Sequence, residues 1–323
     1  MKRPLSCIAL LLLLSGCATK TEERGLVLHI GDQKGQTKAL LAASGLLREL
    51  PFTVRFSTFT SGPPEVEAAN AGAIDTASVG NTPALIAAAA NADVSMVAAA
   101  QGAPSGDTIL VPRNSPVRDL KSLRGKTIGV ANSTSAHGHL LAQLRRAGLS
   151  KEDVHIAYLQ PADAFAAFSQ GDLDAWAIWD PYTAQAQIRE HARVLLDGTG
   201  VANALNFQVA SRKALADPRK AEAIRALVIA TAKAQRWTQS HPEQWARAYA
   251  HDTGLPVPVA RLEVSRGVKL PVPLTGDTVR SEQQLMDVFV ANNSIPQGIR
   301  FGDFVDDRYH KDLQPFQEKG IRQ

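Results

Sequence analysis

A ten-residue pattern that occurs twice constrains the fold of this 323-residue chain more than any other feature. The copies are Gly72-Ala-Ile-Asp-Thr-Ala-Ser-Val-Gly-Asn81 and Gly171-Asp-Leu-Asp-Ala-Trp-Ala-Ile-Trp-Asp180. In each copy a glycine ends a helix, an apolar run suits a strand covered on both faces, and a proline soon opens the next helix. Each copy therefore brings the carboxyl end of a strand to the amino end of a helix, where doubly wound sheets bind anions. Two such junctions predict two lobes that face one cleft.

The start of the chain predicts export. A charged beginning is followed by the apolar run Ile8 to Leu14, which is too short to cross a bilayer, and Leu14-Ser-Gly-Cys17 resembles the lipobox of bacterial lipoproteins. We expect residues 1–16 to be a signal peptide, Cys17 to carry the lipid anchor with palmitate, and residues 17–25 to be a tether. A plain secretory signal is the alternative, and it also implies export. The protein is expected in the bacterial cell envelope, on the periplasmic side or the outer surface of a membrane.

Composition and charge exclude several classes of protein. The two cysteines are Cys7, inside the predicted signal, and Cys17, so the mature chain has no thiol for a disulfide, a metal or catalysis. The formal charge of +4 becomes 4 − 2 = +2 when Lys2 and Arg3 are removed, which gives no nucleic-acid footprint. Hydrophobic residues make up 45% of the chain, and this content and length suit two domains with ordinary cores.

Apolar runs alternate with Ala- and Leu-rich helical stretches, which is typical of α/β proteins with mostly parallel sheets. We assign residues 26–111 to the first part of one lobe, 112–204 to an inserted second lobe, and 205–323 to the rest of the first lobe with a helical C-terminal region. Thr108–Val111 and Phe207–Ala210 are predicted to be two crossover strands that join the lobes and form a hinge. The predicted fold class is thus α/β, with two doubly wound lobes.

Four predicted helix amino ends are expected to meet in the cleft. An ionised oxyanion needs N–H and hydroxyl donors aimed at it from a low-dielectric wall, and helix amino ends offer both. A capping role alone is the alternative for any single hydroxyl. The candidates for ligand contact at these ends are Ser61, Gly62, Asn81, Thr82, Ser133, Thr134, Trp179 and Asp180.

Several segments together resemble the aliphatic-sulfonate-binding proteins of ABC importers, relatives of the taurine and nitrate binders. Asp174-Ala-Trp-Ala-Ile-Trp-Asp-Pro-Tyr182 is the most specific of them, and Gly31 to Gly35, Val79 to Pro83 and Asp119 to Val130 also match. The resemblance runs through residues 26–290. It implies the type II periplasmic-binding-protein fold, closure of two lobes on a small anion, an ABC permease with a separate ATPase as partner, and no enzymatic activity or cofactor. We expect a monomer.

The resemblance also suggests roles for single residues. Gln33 lies in Gly-Asp-Gln-Lys-Gly, which is similar to the family's first binding loop, so its amide is a candidate donor; a solvated turn is the alternative. His137 matches the family's Asn-x-His and is a further candidate, or else a satisfied residue in the first helical turn. Trp179 could line the floor for an organic tail, whereas Asp180 could simply cap the next helix. His137 and His139 point apart on a helix, so we expect no metal.

Three positions depart from the family's pattern. Asp32 stands where tyrosine is usual, Asn81 where aspartate is common, and Gly138 where an aromatic residue follows the histidine. A pocket without those rings is expected to be wider and to admit a bulkier sulfonate, a sulfate ester or another anion.

The expected function is a substrate-binding lipoprotein that captures a small organic anion, an aliphatic sulfonate or a related sulfonate or sulfate ester, and delivers it to a permease. A ligand sensor or scaffold on the same fold is the alternative, and an envelope enzyme is a third hypothesis. The enzyme hypothesis has little support, because the chain lacks a phosphate-cradling loop, a Gly-x-Ser-x-Gly and a His-Glu-x-x-His. Thiamine-pyrimidine synthases share the implied fold, but those enzymes carry a cysteine-rich pattern that this chain cannot supply.

Overall fold

A computed structural model describes residues 25–320 of the chain. The predicted signal peptide, the lipidated Cys17 and all of the tether except Gly25 lie outside the described residues. Within residues 25–320, no helix combines the length and the apolar character that a membrane span needs.

Strands and helices alternate along most of the described chain. The strands are β1 (Val27–Gln33), β2 (Thr53–Phe59), β3 (Thr76–Gly80), β4 (Val94–Gln101), β5 (Thr108–Val111), β6 (Thr127–Val130), β7 (His155–Tyr158), β8 (Ala175–Ile178), β9 (Arg193–Asp197), β10 (Leu205–Ser211) and β11 (Leu270–Val272). The helices are α1 (Thr37–Ala43), α2 (Gly62–Asn70), α3 (Asn81–Ala89), α4 (Ser135–Arg146), α5 (Pro161–Gln170), α6 (Tyr182–Arg189), α7 (Arg212–Ala216), α8 (Pro218–Ser240), α9 (Pro242–Thr253), α10 (Val257–Arg266), α11 (Gly276–Ala291) and α12 (His310–Leu313).

The strands form two mixed sheets, one in each lobe. The first sheet has the order β11-β4-β10-β3-β1-β2 and the second the order β7-β6-β8-β5-β9. The β1–β2, β1–β3, β6–β7 and β6–β8 pairs are parallel, whereas β10 runs antiparallel to β3 and β4 and β5 runs antiparallel to β8 and β9. The predicted α/β fold with two lobes is confirmed, and the sheets are more mixed than the sequence pattern suggests.

The chain passes between the sheets at residues 102–107 and 198–204. The two strands predicted to cross each lie inside one sheet instead, β5 between β8 and β9 and β10 between β3 and β4. All four residues of β5 are buried, and an apolar strand is stabilised more by neighbours on both sides than by bridging two lobes. By sheet membership the second lobe therefore begins at Thr108 and not at residue 112.

The two copies of the repeat form equivalent junctions, as predicted. Gly72 and Gly171 have φ angles of 70° and 86°, a left-handed backbone in which glycine avoids the strain of a Cβ atom. The strands β3 and β8 follow, and each leads directly to a helix, α3 or α6. β8 is apolar and buried throughout, whereas in β3 the buried Ala77 and Val79 flank Ser78, which is polar and partly exposed.

The lobes have separate hydrophobic cores. In the first lobe, Leu28 and Ile30 pack with helix α8 on one face of the sheet, and Phe207 packs with α11 on the other. In the second lobe, Trp176 has no exposed surface and its ring lies 5.8 Å from that of Phe168. Trp176 is thus the core tryptophan of its strand.

Candidate functional site

A cavity of ≈ 500 Å³ lies between the lobes. Its walls include the junctions β1–α1, β3–α3 and β8–α6, the first crossing segment, and parts of α8, α9 and α10. Both copies of the repeat therefore border one cavity, as the sequence predicts. A volume of this size is typical of sites for small organic ligands.

Four of the predicted contact residues line this cavity, namely Gln33, Asn81, Trp179 and Asp180. Among the described residues, the other six are not part of its lining: Ser61, Gly62, Thr82, Ser133, Thr134 and His137. Most of these six are buried where the lobes approach each other. Ser61, for example, lies 3.4 Å from the amide oxygen of Gln160 in the second lobe.

Gln33 is the last residue of β1, so the predicted turn begins later than its sequence suggests. Its Nε2 donates a hydrogen bond of 2.8 Å to Glu65, whose side chain has no exposed surface. Burial raises the pKa of Glu65 well above its usual range, and the nearby Asp32 raises it further. Gln33 is therefore held by a buried carboxyl group and does not lie in a solvated turn.

Asn81 begins α3 and ties it to the second crossing segment. Its Nδ2 donates to Asn203 Oδ1 at 2.7 Å, and its Oδ1 accepts from the backbone N–H of Thr82 at 2.6 Å. Asn203 in turn donates to the buried Glu282 at 3.0 Å. Thr82 is not the helix cap, because α3 already starts at Asn81 with Gly80 as N-cap. The side chain of Asn81 thus links the cavity wall to a segment that joins the lobes.

Asp180 forms an ion pair between the lobes. Its oxygens accept two hydrogen bonds from Arg266 Nη1, at 2.8 and 2.7 Å, and Oδ1 also accepts from the backbone N–H of Ala184 at 3.1 Å. Asp180 lies one residue before Pro181, the N-cap of α6, so it is not the helix cap that the sequence suggested, although it accepts a hydrogen bond from the first turn of the helix. The paired side chains of Arg266 and Asp180 are only 13% and 12% exposed, so the charge of Asp180 is neutralised inside the protein.

The sequence analysis missed four charged residues of the cavity wall, Asp107, Glu263, Arg266 and Lys269. Lys269 is exposed toward the cavity and has no hydrogen bond or ion pair with any other residue in 25–320. Desolvation by the cavity walls lowers its pKa, and the carboxyl groups around it, first of all Glu263 and Asp107, oppose that shift. Lys269 is a cation without a direct partner, which suits an incoming anion.

The two carboxyl groups beside Lys269 are easily protonated. Burial, followed by the charge of Asp180, raises the pKa of Asp107 to about 7 and that of Glu263 to about 8. Asp107 accepts a hydrogen bond from Ser135, whereas Glu263 Oε2 is buried and has no hydrogen-bond partner. The cavity therefore holds two carboxyl groups whose charge is not balanced by a direct ion pair.

Aromatic rings form much of the remaining wall. Trp179 and Tyr182 meet edge to face with ring centres 6.1 Å apart, and Trp245 and Tyr249 do so at 5.4 Å. Glu263 is among the charges that raise the pKa of Tyr249, so this ring lies near the carboxyl groups. Trp179 lines the cavity, as predicted for an organic tail.

His137 is packed between the lobes. Its ring lies edge to face with Phe289 of the first lobe, at 5.8 Å, and Nδ1 accepts from the backbone N–H of Ser133 at 3.2 Å. Burial lowers the pKa of His137 to about 4, so the ring is neutral at physiological pH. Within residues 25–320, no group of three or more His, Cys, Asp or Glu side chains could hold a metal ion.

Gly138 allows the closest approach of the two lobes at this contact. A Cβ atom at this position would lie 2.5 Å from Thr82 Oγ1 and 3.3 Å from the ring of Phe289. A large side chain, such as the aromatic residue expected here from the resemblance, could not fit this arrangement. We expect Gly138→Ala to weaken ligand binding about 5- to 150-fold, because overpacking costs about 1–3 kcal/mol and pushes the lobes apart. Titration of the wild type and the variant with the ligand, followed by calorimetry, measures the difference in affinity. An unchanged affinity would show that this contact does not control closure of the lobes.

Three comparisons with known proteins agree with one another. The NMT1/THI5 like family model matches residues 60–245. A curated relative from Escherichia coli (strain K12), named for binding aliphatic sulfonates, is 35% identical over 296 residues, which cover 90% of this chain and 92% of the relative. This chain is an NMT1/THI5-like protein of the aliphatic-sulfonate-binding family.

Two solved structures of this family share the fold. The alkanesulfonate-binding protein SsuA from Xanthomonas axonopodis pv. citri, bound to MOPS, has a TM-score of 0.79 and 31% identity, with 87% of this chain and 98% of that chain covered. The periplasmic SsuA from Escherichia coli has a TM-score of 0.77 and 33% identity, with 92% and 95% covered. These matches confirm the resemblance stated from the sequence. The relatives and solved structures named here are binding proteins.

Proposed function

We propose that this protein is the substrate-binding component of an ABC importer and that it captures a small sulfonate in the cavity between its lobes. The observation that carries the proposal is Lys269, a cation that faces a cavity of ligand size and has no direct partner in the described chain. The sulfonates bound by the relatives support the choice of anion. No enzymatic role is proposed.

The proposed contacts combine charge with neutral donors. Lys269 faces the sulfonate, and the second amide hydrogen of Gln33 and the amino end of α3 at Asn81 supply hydrogen-bond donors. Trp179 packs against the organic tail. The six predicted residues outside the lining stabilise the closed state, because they lie where the two lobes meet.

The two crossing segments allow the lobes to close on the ligand. Residues 102–107 and 198–204 are short and connect otherwise separate sheets, which suits a hinge. A ligand that touches both lobes binds the closed form more tightly and therefore shifts the population toward it. The closed protein is proposed to act as a monomer and to deliver its ligand to a permease driven by a separate ATPase.

The lipid anchor remains part of the proposal. Leu-Ser-Gly-Cys17 supports cleavage before Cys17 and lipidation of that residue in the cell envelope. We expect Cys17→Ser to release the protein from the membrane fraction, with the loss of the acyl mass measured on the intact protein. A wild-type protein that is already free of lipid would exclude the anchor.

A melting experiment tests the proposed function. A ligand at 100 times its Kd stabilises the folded protein by about 2.7 kcal/mol, which corresponds to a melting temperature roughly 5 °C higher for a chain of this size. We expect such a rise with alkanesulfonates or aminosulfonates and none with nitrate. A rise with sulfate esters alone would change the anion class, and no rise with any anion would contradict the function.

A further inference from the structure

A chain of side-chain hydrogen bonds runs from the interior of the first lobe to the cavity wall. Glu282 of α11 has no exposed surface, and its Oε2 accepts a hydrogen bond of 3.0 Å from Asn203 Nδ2. Asn203 Oδ1 accepts from Asn81 Nδ2 at 2.7 Å and from the backbone N–H of Leu205 at 3.1 Å. Asn203 belongs to the crossing segment 198–204, whereas Asn81 begins α3 and lines the cavity. One asparagine therefore connects α11 and α3 to a segment that joins the lobes.

Two backbone N–H groups fix the direction of every bond in this chain, because a backbone N–H can only donate. The N–H of Thr82 donates to Asn81 Oδ1 at 2.6 Å, so Asn81 must turn its Nδ2 toward Asn203. The N–H of Leu205 likewise requires the side-chain oxygen of Asn203 and leaves Nδ2 to face Glu282. Glu282 must therefore supply an acceptor, which a carboxyl or an amide group has and an apolar side chain lacks.

Burial keeps the Glu282 carboxyl group largely uncharged at pH 7. Burial raises its pKa to about 8, and the hydrogen bond from Asn203 opposes that shift. A protonated carboxyl group can still accept at one oxygen. The other oxygen of Glu282, Oε1, is buried and has no hydrogen-bond partner among residues 25–320. Glutamine has nearly the same shape and one acceptor oxygen, so it is the conservative replacement at this position.

The crossing segment that contains Asn203 also contains a strained residue. Ala204 has a φ angle of 50°, a left-handed backbone in which a Cβ atom is unfavourable. Its carbonyl accepts from the N–H of Gly102 at 3.0 Å, which ties the second crossing segment to the first, and both residues line the cavity. Gln101 Nε2 donates to the carbonyl of Asn203 at 2.9 Å. A strained conformation persists only where surrounding contacts hold it, and here those contacts are centred on Asn203.

We propose that Asn203 and Glu282 are positioning residues for ligand binding. Both lie outside the lining that residues 25–320 give the cavity, and they hold the crossing segment and the amino end of α3 in the arrangement that receives the ligand. Without the acceptor at Glu282, the amide of Asn203 loses the bond that fixes it, and Asn81 loses its fixed partner. The binding arrangement is then less populated, and the apparent affinity falls by the same factor. This inference rests on the proposed function, because it is measured as the affinity for a sulfonate.

Calorimetric titration with butane-1-sulfonate tests the two residues. Asn203→Ala and Glu282→Met are each expected to bind about tenfold more weakly than the wild type, since each leaves a polar group of the chain without its partner. Glu282→Gln should stay within about threefold of the wild type, because it keeps the acceptor. Asn203 is only partly buried, so Asn203→Ala decides the question even if Glu282→Met does not fold.

Gln283→Met is the matched control on the same helix. Gln283 accepts from the backbone N–H of Phe301 at 2.9 Å and donates to the carbonyl of Ile299 at 3.2 Å, so its replacement removes contacts of α11 that lie outside the cavity. We expect this variant to have a lower melting temperature but an affinity within about twofold of the wild type. Equal losses of affinity in Gln283→Met and Asn203→Ala would mean that the lobe is loosened in general, and would overturn the positioning role.

The outcomes separate this inference from the proposed function. Full affinity in Asn203→Ala, or a loss in Glu282→Gln equal to that in Glu282→Met, would overturn the positioning role while the wild type still binds the sulfonate. A wild type that binds no sulfonate would contradict both proposals. Hydrogen exchange of residues 198–206 in the ligand-free protein gives a second readout. We expect faster exchange in Asn203→Ala and unchanged exchange in Gln283→Met, and an unchanged rate in Asn203→Ala would also refute the inference.

Discussion

Lys269→Met is expected to weaken sulfonate binding by about 30- to 1,000-fold, or about 2–4 kcal/mol. Lys269 and Lys34 line the cavity and have no direct partner within residues 25–320, and of the two it is Lys269 that acts on the carboxyl groups Asp107 and Glu263. Its removal leaves a fully ionised sulfonate beside Asp107 and Glu263 without the nearest positive charge. Methionine is unbranched like lysine, uncharged and only one atom shorter, so the loss measured by titration calorimetry reports mainly the charge.

Lys34→Met is the matched control for this experiment. Lys34 also lines the cavity and is exposed like Lys269, but it lies in the turn between β1 and α1 and is not among the charges that act on Asp107 and Glu263. We expect a loss of no more than about threefold, since a charge that does not face the sulfonate is screened by solvent. If Lys34→Met and Lys269→Met weaken binding equally, the sulfonate is held by the general positive field at the mouth of the cavity and not by Lys269.

Arg266→Met is expected to destabilise the folded protein by about 3–5 kcal/mol, because it leaves the largely buried Asp180 without its charge partner. The same guanidinium also donates to Gln187 of α6, so one side chain connects α10 to two points of the second lobe. Urea unfolding at pH 7 measures the loss. Affinity for sulfonates should fall as well, because the ion pair helps to hold the lobes together.

The double variant Arg266→Met/Asp180→Asn separates the charge from the packing. Replacing both members removes the unpaired carboxylate, and asparagine can still accept the hydrogen bond from Ala184. We expect the double variant to recover at least half of the stability lost in Arg266→Met. A double variant as unstable as the single one would mean that Arg266 acts by filling space.

Local patterns in the sequence were sufficient to predict the strand–helix junctions of the fold. Gly72 and Gly171 end helices because their backbone needs a left-handed conformation, and the apolar runs after them form buried strands. These signals lie within a few residues of each other, so they can be recognised in the sequence without knowledge of tertiary contacts. Trp179 and Asp180 were found at the cavity for the same reason.

Contacts between distant parts of the chain could not be predicted in this way. Glu263 and Lys269 come from a segment that reads only as the end of a helix before a short strand, and nothing local places it beside Asp107. A signal was present in the three charges of Glu263, Arg266 and Lys269 within seven residues, but it points to no partner. Polar Gln33 extends β1 because buried Glu65 accepts its hydrogen bond, which is likewise a tertiary effect.

The most direct test of the account is to locate the sulfur atom of a bound sulfonate. A crystal of the protein with 3-aminopropanesulfonate, measured at a long wavelength, shows sulfur by its anomalous scattering. We predict a peak in the cavity about 4 Å from Lys269 Nζ, a distance that equals one hydrogen bond plus one S–O bond. A peak on another surface, or an empty cavity in a crystal saturated with ligand, would contradict the claim that the lobes close on a sulfonate.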